Sequence, residues 1–441
     1  MTTPVLYPYQ RQAALDIASS RKPMLNAFDP GLGKSRVALT VIAARNDRRV
    51  LIVCPHSVIL VWLAEVDKWW KQAPPVTVVQ RGLLIPEGEG IFLLSYGLLS
   101  EASGRVAARL ANTGPFDATI LDEAHYLKNA KSNRASRIFA LLPRLGWVHP
   151  MTGTPAPNHA GELWGLLYHL RPDLIVSPIT GKPMREGEFQ SRYCNIRHLS
   201  VNGRKIEHIE GSKNKDELRA RITPMVIAAR KKEVLPQLPP IDFVVLPVQV
   251  PRGVLAIGGS GWDRVDDDAL LQQLAAGQAK SEIQQLGLAK IPSVIEWIVD
   301  LLDNSRDRRL VVWCVHHKVI DRYVDLLGEY KPVKFDGRDT LDQRRAAIQR
   351  FMSGDAKIFV GQIQAGGTGL TLVSPTAKCS DVVFAEASFS YADNVQAACR
   401  IHRIGQNDGV LCRYASAAGT LDDRIQDILA RKSRDWADLF S

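Results

Sequence analysis

Residues Asp29–Ser35 read "DPGLGKS", and the reading of this stretch decides the fold. Its latter part, Gly31-Leu32-Gly33-Lys34-Ser35, has the form of the end of a phosphate-binding loop. Glycines let backbone N–H groups turn toward phosphate oxygens at a helix N-terminus. In such a loop the lysine reaches the β/γ-phosphates and the hydroxyl ligates Mg²⁺. The usual pattern has a glycine six positions before the lysine, and here that position is Phe28. The competing reading is a glycine-rich turn that opens the amphipathic segment "SRVALTVIAAR" (Ser35–Arg45).

Two further stretches bear on that choice. "TILDEAH" (Thr119–His125) sets two carboxylates directly after an apolar run. Asp122 is placed to hold Mg²⁺ and Glu123 to orient and polarise an attacking water. An isolated Asp-Glu pair is often only the solvated start of a helix, but this one follows the loop by about 90 residues, a spacing consistent with one nucleotide site. Far along the chain, "QAACRIHRIGQ" (Gln396–Gln406) spaces Gln396, Arg400 and Arg403 by four and then three. That spacing predicts one helical face. Arginine stays charged and forks onto phosphate oxygens, and arginines from a second lobe act as fingers on a transferring phosphoryl group. A basic face turned to solvent is the plainer reading.

The surrounding texture is α/β. "RRVLIVCP" (Arg48–Pro55), "GIFLLSY" (Gly90–Tyr96) and "FDATILDEAH" (Phe116–His125) are short apolar runs ending in small or polar residues. The pattern returns at "RRLVVWCVHH" (Arg308–His317), "AKIFVGQ" (Ala356–Gln362) and "SDVVFAEA" (Ser380–Ala387). Such runs, alternating with helical stretches, predict buried parallel strands, with functional groups just past their ends. Two lobes follow, in keeping with 441 residues, too many for one core. From Arg171 to about Ile222 the chain turns polar and basic, as an insertion would. "KKEVLPQLPP" (Lys231–Pro240) reads as a semi-rigid connector, and "GGSGWDRVDDDALLQQLAAGQ" (258–278) as a projection from the second lobe.

Composition narrows the class. The formal net charge is +10, with 46% hydrophobic and 23% charged residues. Such a balance suits a nucleic-acid partner or simply a well-solvated basic surface. None of the six cysteines forms a C-x-x-C pair, so zinc has no support, and Cys54 and Cys314 lie in apolar runs. No run approaches the length of a membrane span, and the N-terminus has no apolar secretory core. The expectation is an intracellular protein, cytoplasmic if bacterial or viral and nuclear if eukaryotic, with no membrane partner.

Together these motifs resemble the Snf2-family ATPases of helicase superfamily 2. "DPGLGKS" is similar to the family's D-x-G-L-G-K-[ST] form, in which the first glycine is often absent. "LYPYQ" (Leu6–Gln10) resembles its Q-motif. "LIVCPHSVILVWLAEVDKW" (Leu51–Trp69) and "LLSYGLL" (Leu93–Leu99) resemble motifs Ia and Ib. "LDEAHYLKN" (Leu121–Asn129) resembles motif II, and "MTGTPAPNHAGELWGLLYHLRPDL" (Met151–Leu174) motif III. "RKKEVLPQLPP" (Arg230–Pro240), "FDGRDTLDQRRAAIQRF" (Phe335–Phe351), "QAGGTGLTL" (Gln364–Leu372), "RIHRIGQ" and "GTLDDRI" (Gly419–Ile425) fit its later blocks. Scattered positions in the insertion, "FQSRYC" (Phe189–Cys194) with Gly211, Asn214 and Glu217-Leu218, resemble the annealing-helicase branch. Two departures stand out. Ala398 and Cys399 occupy positions where the family usually has acidic residues, and Thr152 stands where serine is more usual.

The resemblance implies two RecA-like lobes with parallel sheets, the P-loop and superfamily 2 architecture, plus helical insertions. It implies lobe 1 over 1–171, an insertion over 172–225, a linker over 226–245 and lobe 2 over 246–441, with a projection at about 255–290. It implies ATP and Mg²⁺. The catalytic set is Lys34, Glu123, Arg400 and Arg403. Gln10, Gly31, Leu32, Gly33, Lys34, Ser35, Arg36, Asp122, Gly369 and Gln396 bind the nucleotide, and Ser35 and Asp122 hold the metal. His125, Thr152 and Thr154 couple the ATP and DNA sites. Nucleic-acid contacts fall to His56, Ser95, Tyr96, Lys128, Asn129, His317, Arg338, Gly367 and Thr371, and the basic tracts Arg230-Lys231-Lys232 and Arg204-Lys205 are further phosphate contacts or a solvated face. The implied activity is that of a monomeric DNA-dependent ATPase translocating on double-stranded or branched DNA, with fork regression or annealing as its remodelling work. A DEAH-type unwinding helicase and a non-catalytic DNA-binding scaffold are the alternatives.

Overall fold

A computed structural model describes residues 6–82, 85–201, 204–251, 280–305, 307–366, 370–373, 379–427 and 429–430. The chain divides into two compact units between Val234 and Leu235.

The first unit is built on a seven-stranded sheet. Its strands are β1 (Leu25–Phe28), β2 (Arg49–Cys54), β3 (Val76–Val78), β4 (Gly90–Ser95), β5 (Ala118–Asp122), β6 (Trp147–Met151) and β9 (Val226–Ala229). They lie in the order β3-β4-β2-β5-β6-β1-β9, with every paired neighbour parallel. Strands β7 (Cys194–Val201) and β8 (Arg204–Ser212) form a separate antiparallel hairpin. Successive residues of β2 feed opposite faces of the sheet. Leu51 and Val53 pack with Leu121 and Phe139 on one side, and Val50 and Ile52 with Ile120 and Trp62 on the other. Both faces being covered explains why these strands read as unbroken apolar runs.

The second unit holds β10 (Ile241–Pro247), β11 (Arg309–Cys314), β12 (Val333–Phe335), β13 (Ile358–Gln362), β14 (Cys379–Phe384) and β15 (Val410–Ser416). Their order is β10-β15-β14-β11-β13-β12, again parallel throughout. Val311 and Trp313 enter one core layer, Leu310 and Val312 the other. The two parallel sheets match the expected fold class, and all six cysteines are buried free thiols.

The boundaries differ from those implied by sequence. Strand β9 pairs along β1 and β10 along β15, so the linker expected at 226–245 shrinks to the residues between them. The polar insertion at 172–225 is anchored in the first core by Ile175, Met184, Phe189, Tyr193, Leu218 and Ile222. Of the projection expected at 255–290, residues 255–279 lie outside the described residues. The remainder begins the helix Lys280–Asp303, whose Leu286, Ile291, Val294, Ile298 and Leu302 are core side chains. Among the described residues no helix is long and apolar enough to cross a membrane.

Candidate functional site

Strands β1, β5 and β6 lie side by side, and their C-terminal ends carry the chemistry. β1 runs into the phosphate loop. Phe28 is buried at its end, tilted against Tyr9 with ring centroids 5.6 Å apart. What it offers the loop is its carbonyl, which accepts from Lys34 Nζ at 3.0 Å. A glycine is therefore not required there, because only the backbone faces the lysine. Gly33 is required. Its φ is +83°, and a Cβ on it would meet Gln10 Nε2 at 2.5 Å. It is the residue before the helix Lys34–Arg45, whose first turn carries Ser35.

Gln10 underpins this loop. It is buried, accepts from the Tyr7 N–H at 3.1 Å and donates to the Leu32 carbonyl at 3.0 Å. The Tyr9 hydroxyl donates to the same carbonyl at 3.2 Å, and burial pushes its pKa up to about 12. Arg36, in the same first turn, lays its guanidinium 4.0 Å from the centre of the Trp69 ring, a cation–π stack.

Asp122 ends β5, buried. Its Oδ2 accepts from Trp62 Nε1 and its Oδ1 from the Glu123 N–H, each at 2.9 Å. Burial, then the neighbouring charge of Glu123, push its carboxyl up to about 7, against the pull of Trp62 and Lys34. Two adjoining carboxylates beside one lysine are the kind of donors a divalent cation takes.

Glu123 has φ +49°. A non-glycine residue in the left-handed region costs about 1–3 kcal/mol and persists only where its surroundings fix it. Thr152, fully buried past the end of β6, provides the fixing. Its hydroxyl donates to Glu123 Oε2 at 3.1 Å, accepts from the Thr154 N–H at 3.1 Å and lies 2.8 Å from His125 Nδ1. With that hydroxyl proton committed to Glu123, Nδ1 is the ring nitrogen that carries hydrogen. Glu123, His125, Thr152 and Thr154 thus form one linked cluster. Gly153 lies against the loop, since a Cβ there would sit 3.2 Å from Lys34 Nζ.

Sequence reasoning missed two members of this edge. Glu162 is buried and accepts from Lys128 Nζ at 2.7 Å and from the Asn158 amide at 2.6 Å. Burial raises its carboxyl, but Lys128, His159 and Asn158 outweigh that and hold it below its ordinary value. The contact joins the segment after Glu123 to the one after Thr154. Asp29, quoted only as part of the loop, binds Arg230 and Lys231, described below. A carboxylate in an otherwise apolar stretch was the available signal for each.

The nucleic-acid candidates divide. His56 and Asn129 are exposed past strand ends, and Lys128 is held by Glu162. Tyr96 requires correction. It is 1% exposed, in the core, stacked on Tyr126 at 5.2 Å, with its phenol pushed up by burial. Ser95 is likewise buried and caps the following short helix at Leu98 N. Both were assigned to nucleic acid through the resemblance to motif Ib, and the apolar run that precedes them continues through them into the core.

In the second unit the expected single helical face is also corrected. The helix is Tyr391–Ala398. It holds Gln396, whereas Arg400 and Arg403 lie in the turns beyond it. Their side chains take carbonyls that a continuing helix needs: Arg400 Nε donates to Gln396 O at 2.8 Å and Arg403 Nε to Cys399 O at 2.9 Å. The Arg400 carbonyl meanwhile accepts from Leu372 N. Arg400 is 3% exposed, and Arg403 also donates to Thr371 Oγ1 at 2.7 Å. His317 opens the helix His317–Leu326. Arg338 is forked between Asp321 and Asp336, bonds that raise its pKa. Gly367 and Gly369 lie outside the described residues, and the side chains of Arg204 and Lys205 do as well.

A family model described as the SNF2-related domain matches residues 21–251, and one described as the helicase conserved C-terminal domain matches 293–405. The chain belongs to the SNF2-related family. It is 31% identical over 97% of its length to SWI/SNF-related matrix-associated actin-dependent regulator of chromatin subfamily A-like protein 1 of Xenopus tropicalis, covering 44% of that protein. It is 27% identical over 97% of its length to the DNA annealing helicase and endonuclease ZRANB3 of Homo sapiens, covering 40% of it. The chain thus spans under half the length of these relatives. The SWI2/SNF2 ATPase core of Sulfolobus solfataricus in complex with dsDNA aligns over 100% of this chain and 96% of its own, with TM-score 0.45 and 20% identity.

Proposed function

We propose that the chain is a DNA-dependent ATPase that translocates on double-stranded DNA and remodels branched DNA. The observation that carries this is the convergence of Lys34, Asp122, Glu123 and Thr152 at adjoining strand ends of one sheet. Lys34 is positioned by the Phe28 carbonyl and reaches the β/γ-phosphates. Glu123, turned by its left-handed backbone and steadied by Thr152, orients water for attack on the γ-phosphorus and receives its proton. Ser35 and Asp122 hold Mg²⁺, which supplies charge neutralisation on the phosphate oxygens. Arg400 and Arg403 of the second lobe complete the site as the lobes close on ATP. Exposed His56, Asn129 and Thr371 are the remaining backbone-phosphate candidates, and contacts of that kind give little base specificity and steep salt sensitivity. The names of the relatives, a regulator of chromatin and a DNA annealing helicase, support a DNA substrate and a place inside the cell.

The test is ATP hydrolysis by the purified chain with plain duplex, single-stranded, forked and four-way-junction DNA, and with RNA. Stimulation by duplex, and more strongly by forks or junctions, is the expected result. Preference for RNA points to an unwinding helicase, and DNA binding with no hydrolysis to a scaffold. Either result refutes the proposal.

A further inference from the structure

The basic tract Arg230-Lys231-Lys232 was legible as a phosphate contact or a solvated face, and two of its residues are held against the phosphate loop in this fold. Arg230 Nη1 donates to Asp29 Oδ1 at 3.0 Å and the Lys231 N–H to Asp29 Oδ2 at 2.9 Å. The ion pair is well covered, with side chains 16% and 19% exposed, and Lys231 is buried. The Asp29 backbone is engaged as well. Its N–H donates to the Ala229 carbonyl at 3.1 Å, and its carbonyl accepts from Leu32 N at 3.3 Å. One residue of the phosphate loop therefore holds the loop's own turn, the end of β9 and the first residues of the connector.

The far end of the connector is also fixed. In the second unit, the Pro239 carbonyl lies 2.8 Å from His402 Nε2, and the Pro240 carbonyl accepts from Val410 N at 2.9 Å. His402 sits between Arg400 and Arg403. Only the residues between Lys231 and Pro239 lie outside these two anchors. Seven residues reach at most about 25 Å fully extended. This span is shorter in practice, because Lys231–Val234 forms a helical turn and Pro236 restricts its neighbours.

We propose that Arg230 is a positioning residue. Through Asp29 it ties the phosphate loop to the connector, so that occupancy of the loop by ATP is passed along the strap toward the segment bearing Arg400 and Arg403. The proposal rests on the functional reading above. It assigns Arg230 no contact with ATP or DNA. A tether of this kind couples the two lobes without contributing to nucleotide affinity, and a coupling of ordinary size is worth about 5- to 150-fold.

Two measurements test it. In Arg230→Ala, ATP-analogue affinity and hydrolysis without DNA stay within about three-fold of wild type, while DNA-stimulated hydrolysis falls roughly ten-fold or more. Arg230→Lys, which keeps a cation for Asp29, recovers at least half of the stimulation. Unaltered stimulation in Arg230→Ala overturns the tether. So does a parallel loss of affinity and basal turnover, which marks the pair as part of the loop's fold only. The second measurement is amide hydrogen exchange across residues 230–238 with and without ATP·Mg²⁺. Binding changes exchange there in wild type and not in Arg230→Ala; no change in wild type overturns the tether even if DNA stimulation proves absent. Failure of the wild-type chain to bind ATP refutes the functional reading itself, and the tether with it.

Discussion

The strand ends of the first sheet and the arginine segment of the second differ in how their charged groups are kept. In the first, functional side chains hold one another. Thr152 steadies Glu123, Lys34 acts on Asp122, and Trp62 and the Glu123 N–H hold the Asp122 oxygens. In the second, Arg400 and Arg403 bond to backbone carbonyls one turn back and, for Arg403, to Thr371. Acids and bases that act on water need fixed positions and tuned charge. Arginines that arrive late need only remain charged and extended. The first edge is thus organised in advance, while the second is a charged segment held ready by its own backbone.

The largest expected effect falls on the second edge. Arginine fingers are worth roughly 10³–10⁵ in turnover, so Arg403→Ala should lower kcat by about 10³-fold or more while nucleotide affinity changes far less. Arg400→Ala should lose turnover and also melt at lower temperature, because Arg400 is buried and bonded to Gln396 and Leu370. Single-turnover hydrolysis and thermal melting on both variants separate the two. Equal melting temperatures would erase the distinction between a half-buried finger and a buried brace.

Next comes the base. Glu123→Gln keeps the shape and the acceptor for Thr152 but loses the basic oxygen, and general bases contribute about 10²–10⁴-fold. ATP binding should survive and hydrolysis fall within that range. Unchanged DNA-stimulated phosphate release would remove Glu123 from its role. A smaller effect tests the advance organisation itself. Thr152→Val deletes the hydroxyl between Glu123 and His125, and stranding such partners costs about 1–3 kcal/mol. Turnover should drop by roughly ten-fold at nearly constant affinity. No change would mean that the left-handed turn at Glu123 holds without Thr152.

How much of this was legible depended on how far each feature is from its partner in sequence. Strands covered on both faces announce themselves as apolar runs, and β2, β4, β5, β11, β13 and β14 fell where those runs lie. β1 did not, since "LNAF" is four residues long and contains buried Asn26. The loop was readable because glycine at left-handed φ is a local demand. Asp29–Arg230, 201 residues apart, and Lys128–Glu162, 34 apart, are tertiary facts: a carboxylate in an apolar stretch signals that it needs a partner, but nothing local names which one. The arginine spacing was read as helical because period alone cannot tell that side chains will take the carbonyls and stop the helix at Ala398.

The effect expected to leave turnover least changed concerns acid stability and belongs to the first sheet. His149 lies within β6, fully buried, with Nδ1 3.2 Å from the Met24 carbonyl and its ring stacked on Trp147. Nε2 has no partner. Burial pulls its pKa down to about 4, against the Met24 carbonyl, which favours the protonated ring. Between about 6.5 and about 4 the unfolded chain therefore binds a proton that the folded chain refuses, so stability is fully present above 6.5 and drains away as pH falls toward 4. The size is on the order of 3 kcal/mol over that window. In the second unit His316, also buried, lies instead 2.7 Å from the Glu386 carboxylate. His149→Phe keeps the stack on Trp147 and removes the titration. Thermal melts from pH 7.5 to 4.5 should show a shallower acid decline for the variant than for wild type, with the first unit's transition moving and the second's staying in place. Identical slopes would mean that the acid sensitivity of the first sheet lies elsewhere than in this ring.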